Sequence, residues 1–214
     1  MFRFVHGWGF DAALWDAMRA TLGGDASDLG YFGELREFGD DGRPFVAVGH
    51  SLAALLWLKA LPPNCAGLVA INGFDRFAGE PGDPTAVPRR MVERMIARFR
   101  ERPAQVLVDF RERCGAERPV TATLQTERLL QELEVLRDTD AREAARRLHC
   151  PVLVLHGNED AILPPAMREA VFSGSRHVKR HALSGHGHLL PLTAPEWCAE
   201  HVRAFAQRLP GLVS

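Results

Sequence analysis

Val46-Ala47-Val48-Gly49-His50-Ser51-Leu52-Ala53-Ala54 is the stretch on which the fold turns. A short run of small and β-branched apolar residues meets a glycine and then a serine. Behind the serine an apolar pattern continues to Leu61, where Pro62-Pro63 stops it. This reads as strand, sharp turn and helix, with serine on the turn. Such a turn strains the serine backbone and brings strand and helix close, so its flanking positions must be small. Gly49 and Ala53 meet that need, although glycine is the usual residue at the second position. The helix N-terminus behind Ser51 offers free N–H groups and the positive end of a dipole, both favourable to negative charge. A plainer reading is a serine that merely caps an ordinary helix.

The flanking sequence repeats this alternation. Residues 2–5 read as a strand, and Asp11 as the N-cap of a helix to Leu22 with Leu14, Trp15, Met18 and Leu22 on one face. Asp28-Leu29 ends a weak strand, and residues 68–71 form another. Residues 151–155 include Val-Leu-Val-Leu, as in a strand buried on both faces. Residues 176–181 suit a last strand and 197–209 a closing helix. The pattern predicts an α/β fold with a mostly parallel sheet of about six strands flanked by helices. Between Gly73 and about Leu148 the strands stop. Pro84 and Pro88 lead into helical patterns rich in Arg and Glu, which Pro103 and Pro119 break. The expected organisation is a core of residues 1–73 and 149–214 with a helical segment, 74–148, inserted in it. That segment is either a set of solvated helices or a lid over the site.

Four loops carry groups with chemical potential. Ser51 is the candidate nucleophile. His6-Gly7-Trp8-Gly9 follows the first strand, and its glycines let an N–H turn toward a developing oxyanion; the Trp8 and Leu52 amides are the expected donors. His156-Gly157-Asn158-Glu159-Asp160 follows a buried strand, at the carboxyl edge where ligands collect in open α/β folds. Asp160 is the preferred acid. Asp75, after the strand ending at Ile71, is its rival, and Glu159 points elsewhere. Gly185-His186-Gly187-His188 offers either histidine as base. His177 and His181 lie nearby, but no matching cysteines or carboxylates make a metal site.

Composition narrows the function further. The net charge of −1 gives no reason to expect nucleic-acid binding. No apolar run approaches the ~20 residues of a membrane helix. The four cysteines are scattered without a CxxC pair, which suits free thiols in a reducing compartment. A signal peptide needs at least ~15 residues, and its removal would take the first strand and the Gly7 loop with it. The expected location is cytoplasmic.

The order Ser51, Asp160, His188, each after a strand, resembles the α/β-hydrolase family along the whole chain. More narrowly, several segments resemble the pimeloyl-[acyl-carrier protein] methyl ester esterases of biotin synthesis. These are His6-Gly7-Trp8-Gly9-Phe10 with Trp15, residues 28–33, Ala70-Ile71-Asn72-Gly73, Phe110-Arg111-Glu112-Arg113-Cys114, residues 133–151 and residues 185–195. His188 stands seven residues before Pro195, as the base does in that pattern. The resemblance implies a Ser51-His188-Asp160 triad, an oxyanion and substrate site at Trp8, Leu52 and Phe110, and water as co-substrate without metal or cofactor. It also implies an ester carried on acyl-carrier protein. Arg90, Arg94 and Arg98, four apart on one helix, are candidates to meet that acidic carrier, or are ordinary solvated surface. The chain is a trimmed example: it starts at what would be the third strand, and residues 33–45 are too few for a full helical crossover. Rival readings are a thioesterase, a general carboxylesterase, a C–C-bond hydrolase, a perhydrolase, or a binding protein that kept the fold without catalysis.

Overall fold

A computed structural model describes residues 1–39, 41–117, 120 and 122–210. Six strands, β1 (Phe2–Val5), β2 (Asp25–Ala26), β3 (Phe45–His50), β4 (Cys65–Ile71), β7 (Val152–Gly157) and β8 (Val178–Leu183), form one parallel sheet in the order β2-β1-β3-β4-β7-β8. Two-residue strands β5 (Ala78–Gly79) and β6 (Val87–Pro88) make a separate ladder. β3 and β7 are buried at every residue, which is why residues 45–48 and 152–155 read as unbroken apolar runs. The edge strand β8 exposes Lys179, Arg180 and His181, side chains that discourage pairing with another sheet.

The chain moves outward from β1 to β2, then returns to lay β3 on the other side of β1. The winding direction therefore reverses between β1 and β3. Crossovers diverge there and leave a crevice at the carboxyl ends of the two strands. The loop after β1 carries Gly7 and Trp8, and the turn after β3 carries Ser51. Topology alone puts these two features side by side.

Helices cover both faces. A 3₁₀ turn (Ala12–Trp15) and α1 (Asp16–Leu22) follow β1, and the Asp11 carboxylate accepts the Ala13 N–H. This stretch was expected as one helix. No helix is described between β2 and β3, as the short spacing predicts. α2 (Leu52–Lys59) follows Ser51. α3 (Arg89–Glu101), α4 (Pro103–Cys114), α5 (Thr126–Asp138) and α6 (Arg142–Arg146) lie between β4 and β7. α7 (Pro165–Ala170), α8 (Leu190–Thr193) and α9 (Pro195–Ala206) complete the fold.

Several boundaries move. α9 starts at Pro195 rather than Trp197, because proline suits the first helical position. The weak strand lies at Asp25–Ala26, while Asp28 makes an isolated antiparallel bridge to Arg36. The last strand runs two residues later than expected. Strands do not stop after β4: the β5–β6 ladder was too short to show a period. Pro119 lies outside the described residues. All four cysteines are buried and unbridged, and no helix among the described residues is long and apolar enough to cross a membrane.

Candidate active site

Ser51 adopts φ 54° and ψ −120°, outside the regions an L-residue ordinarily occupies. Its surroundings hold it there. The Ser51 N–H donates to Ile71 O at 3.0 Å, and its own carbonyl accepts the Ala54 N–H at 3.1 Å. A Cβ at Gly49 would fall 2.8 Å from Ala54 N and 2.9 Å from the Ala53 carbonyl carbon. Only glycine permits that approach of strand to helix. The helix expected from Ser51 accordingly begins at Leu52.

A hydrogen-bonded chain runs from Ser51 through His188 to Asp160. Ser51 Oγ lies 3.0 Å from His188 Nε2, and His188 Nδ1 lies 2.8 Å from Asp160 Oδ2. An ionised carboxylate only accepts, so Nδ1 carries the imidazole proton and Nε2 is free to receive the serine hydroxyl. Burial by itself would raise the Asp160 pKa. The electrostatic interaction and hydrogen bond with the His188 ring and the amides of Leu163 and Ile162 outweigh it, holding the carboxyl well below the usual range. Oδ1 accepts from Ile162 N at 2.7 Å and Leu163 N at 3.0 Å. Ser51 and Asp160 are each 6 % exposed and His188 1 %.

The rival residues make other contacts. His186 pairs with Thr193 Oγ1 at 3.0 Å. Asp75 accepts the Phe172 N–H at 2.9 Å, next to a left-handed backbone at Phe172 (φ 53°), and burial raises its carboxyl. Glu159 is exposed. His181 packs edge-on against His201 with centroids 4.4 Å apart. Sequence reasoning missed Asn72, whose Nδ2 donates to Asp160 Oδ2 at 2.8 Å. Its one local signal is residue type: asparagine tolerates the left-handed backbone found there (φ 47°) better than most residues.

The loop after β1 runs directly against the serine. A Cβ at Gly7 would lie 2.9 Å from Ser51 Cβ. The neighbouring Trp8 amide and the amide of Leu52 are the expected oxyanion donors; Leu52 opens α2, where N–H groups lack intrahelical acceptors. The buried Trp8 indole donates to Leu129 O on α5 at 2.8 Å and meets Phe110 on α4 edge-on at 4.9 Å. Arg111 donates to Gly9 O at 2.7 Å and lies over the Phe10 ring at 4.7 Å. Arg113 donates to Ala161 O at 3.1 Å. Helices α4 and α5 thus sit on the loops that carry Trp8 and Asp160. A cleft of about 460 Å³ between α2 and residues 35–39 is a separate feature, with none of Ser51, Asp160 and His188 in its lining.

Arg90, Arg94 and Arg98 are exposed along α3. Arg98 bridges to Asp109 on α4 at 2.8 Å. Among the described residues, no ion-pair partner meets Arg90 or Arg94. The stripe therefore keeps two uncompensated charges rather than three.

Residues 4–201 match the Alpha/beta hydrolase family. The biotin biosynthesis bifunctional protein BioHC of Cellvibrio japonicus is 25 % identical over 96 % of this chain and 47 % of that protein, so the chain spans about half of its length. The pimeloyl-[acyl-carrier protein] methyl ester esterase of Methylococcus capsulatus is 27 % identical, over 94 % of this chain and 92 % of that one. That of Neisseria meningitidis serogroup B (strain MC58 among them) is 28 % identical over 81 % of each. Among solved structures, an esterase from Exiguobacterium antarcticum superposes with a TM-score of 0.80 at 17 % identity, covering 95 % of this chain and 90 % of that chain. A bromoperoxidase from Bacillus anthracis does so at 0.80 and 15 %, covering 96 % and 91 %. At these identities the structures share the fold alone.

Proposed function

The chain belongs to the alpha/beta hydrolase family, and from that membership we propose that it is a serine carboxylesterase with Ser51 as nucleophile, His188 as base and Asp160 as orienting acid. One observation carries the reading: the linked distances of 3.0 Å and 2.8 Å from Ser51 through His188 to Asp160. His188 Nε2 takes the hydroxyl proton as Ser51 Oγ attacks the ester carbonyl, and Asp160 balances the imidazolium. The carbonyl oxygen gains charge beside the Trp8 and Leu52 amides. The alcohol departs with the proton from His188, and water then attacks the acyl-enzyme with His188 again as base.

We infer further that the substrate is the methyl ester of pimeloyl-[acyl-carrier protein] and that residues 74–148 act as a lid. Two observations support this. Relatives that this chain covers over most of their length carry that esterase's name. Arg90 and Arg94 also offer exposed positive charge to an acidic carrier, with Arg98 beside them on the same helix. Phe110, packed on Trp8, is the lid side chain assigned to the acyl group. The buried, unbridged thiols suit the cytoplasm.

Ser51→Ala should lower kcat for a p-nitrophenyl ester by about 10⁴ or more, and a fluorophosphonate should label Ser51. A variant that keeps over a tenth of wild-type activity would refute the assignment. Turnover of methyl pimeloyl-carrier protein, set against the free methyl ester and an acyl thioester, tests the substrate.

A further inference from the structure

Three successive carbonyls of the His188 loop are each caught by a different element. The Glu159 N–H donates to His186 O at 2.9 Å, Asn72 Nδ2 to Gly187 O at 3.3 Å, and His50 Nε2 to His188 O at 2.8 Å. A carbonyl only accepts, so His50 carries its proton on Nε2. The third bond differs from the others because His50 is covalently joined to Ser51. The turn that presents the nucleophile therefore also grips the backbone of the base. Ser51 and His188 meet at two points: Oγ to Nε2, and the adjacent imidazole to the His188 carbonyl.

We propose that His50 is a positioning residue that fixes the separation of Ser51 and His188; this rests on the serine-esterase reading above. Its ring is fully buried. Phe10 meets it edge-on at 6.0 Å, and the His188 ring lies 5.0 Å away. On the remaining side the loop after β1 comes so close that a Cβ at Gly7 would fall 2.8 Å from His50 Nδ1. The oxyanion loop, the nucleophile turn and the base loop thus converge on one side chain that has no room to rotate. A misplacement of about 1 Å between reacting groups costs on the order of 10²-fold in rate, so a donor that indexes them acts on kcat. Burial and the neighbouring His188 also push the His50 imidazole down to about 3. It stays neutral while His188 becomes imidazolium, and no second charge opposes that step.

The test is an isosteric pair. His50→Gln keeps an N–H donor on a chain of similar reach, and His50→Met keeps the bulk without the donor. Both are assayed on a p-nitrophenyl ester beside wild type and Ser51→Ala, with sites counted by fluorophosphonate titration for wild type and the His50 variants and by concentration of folded protein for Ser51→Ala. His50→Met should lose about 10²-fold in kcat with KM within about threefold. His50→Gln should recover at least tenfold of that loss. Equal impairment of the pair, or a His50→Met kcat within threefold of wild type, overturns the proposal while the esterase reading stands. If His50→Met does not fold, His50→Leu takes its place under the same criteria. Full activity of Ser51→Ala overturns both.

Discussion

Mild acid should destabilise this fold, and two buried histidines set the scale. His50 and His156 are 0 % and 5 % exposed, and burial first of all pushes their imidazoles from 6.5 down to about 3 and about 4. In the unfolded chain both titrate near 6.5. Below that pH the unfolded state takes up protons that the folded state refuses. Their contribution is therefore complete above about pH 6.5 and is lost as the pH falls toward about 4 for His156 and about 3 for His50. Each pH unit in that window removes about 1.4 kcal/mol per histidine, so at pH 5 the pair costs about 4 kcal/mol. A typical domain has only about 5–15 kcal/mol in all. Asp75 and Glu132, whose carboxyls burial raises, bind protons more readily when folded and offset part of the loss. Asp28 and Asp160, both held low, lose their contribution only below about pH 4. His156 is the clean probe, because neither ring nitrogen has a hydrogen-bond partner among the described residues. His156→Leu breaks no bond. Urea unfolding followed by tryptophan fluorescence between pH 8 and pH 5 should show the loss in wild type. The variant should lose about 2 kcal/mol less, with undiminished stability at neutral pH. A flat wild-type profile, or a variant with the full slope, refutes the reasoning.

Other perturbations separate residues that share a loop or a type. Asp75→Ala should cost about 1–3 kcal/mol of stability by stripping the Phe172 N–H of its acceptor, with per-site kcat within about threefold. Asp160→Asn should instead lower kcat by about 10⁴ because it reverses the His188 tautomer; the opposite ranking would make Asp75 the acid. Gly7→Ala should cost at least about 10² in kcat, since its methyl falls on Ser51 Cβ, and wild-type turnover would show that the loop can retreat. Reversing Arg90 and Arg94 to Glu should raise KM for a carrier-bound methyl ester about tenfold and leave a free ester unchanged, with the wild-type rate falling as salt rises. Equal effects on both substrates would point to a disturbed helix.

Legibility in the sequence followed the range of each interaction. The turn at Gly49-His50-Ser51 depends on small residues within a few positions, so residue types alone exposed it. The same holds for the buried strands, expected at residues 45–48 and 151–155 and found at 45–50 and 152–157, and for the stretch between β2 and β3, where no helix is described. Element ends moved where a single residue governs them, as with the strained serine before α2 and Pro195 at the head of α9. What stayed hidden is long in range. Asn72 meets Asp160 across 88 positions and Gly187 across 115, and His50 meets the His188 carbonyl across 138. No periodicity reaches that far. An asparagine at a strand end and a histidine beside a serine look like many others until the strand order is known. Once β3 is laid between β1 and β4, the carboxyl ends of these strands and of β7 converge. Loops distant in sequence then become neighbours with unsatisfied backbone groups. Each carbonyl of the His188 loop needs a donor in that buried crevice. The residues that supply those donors are the ones a sequence pattern is least able to single out, because their role is defined by partners that topology, not local chemistry, brings within reach.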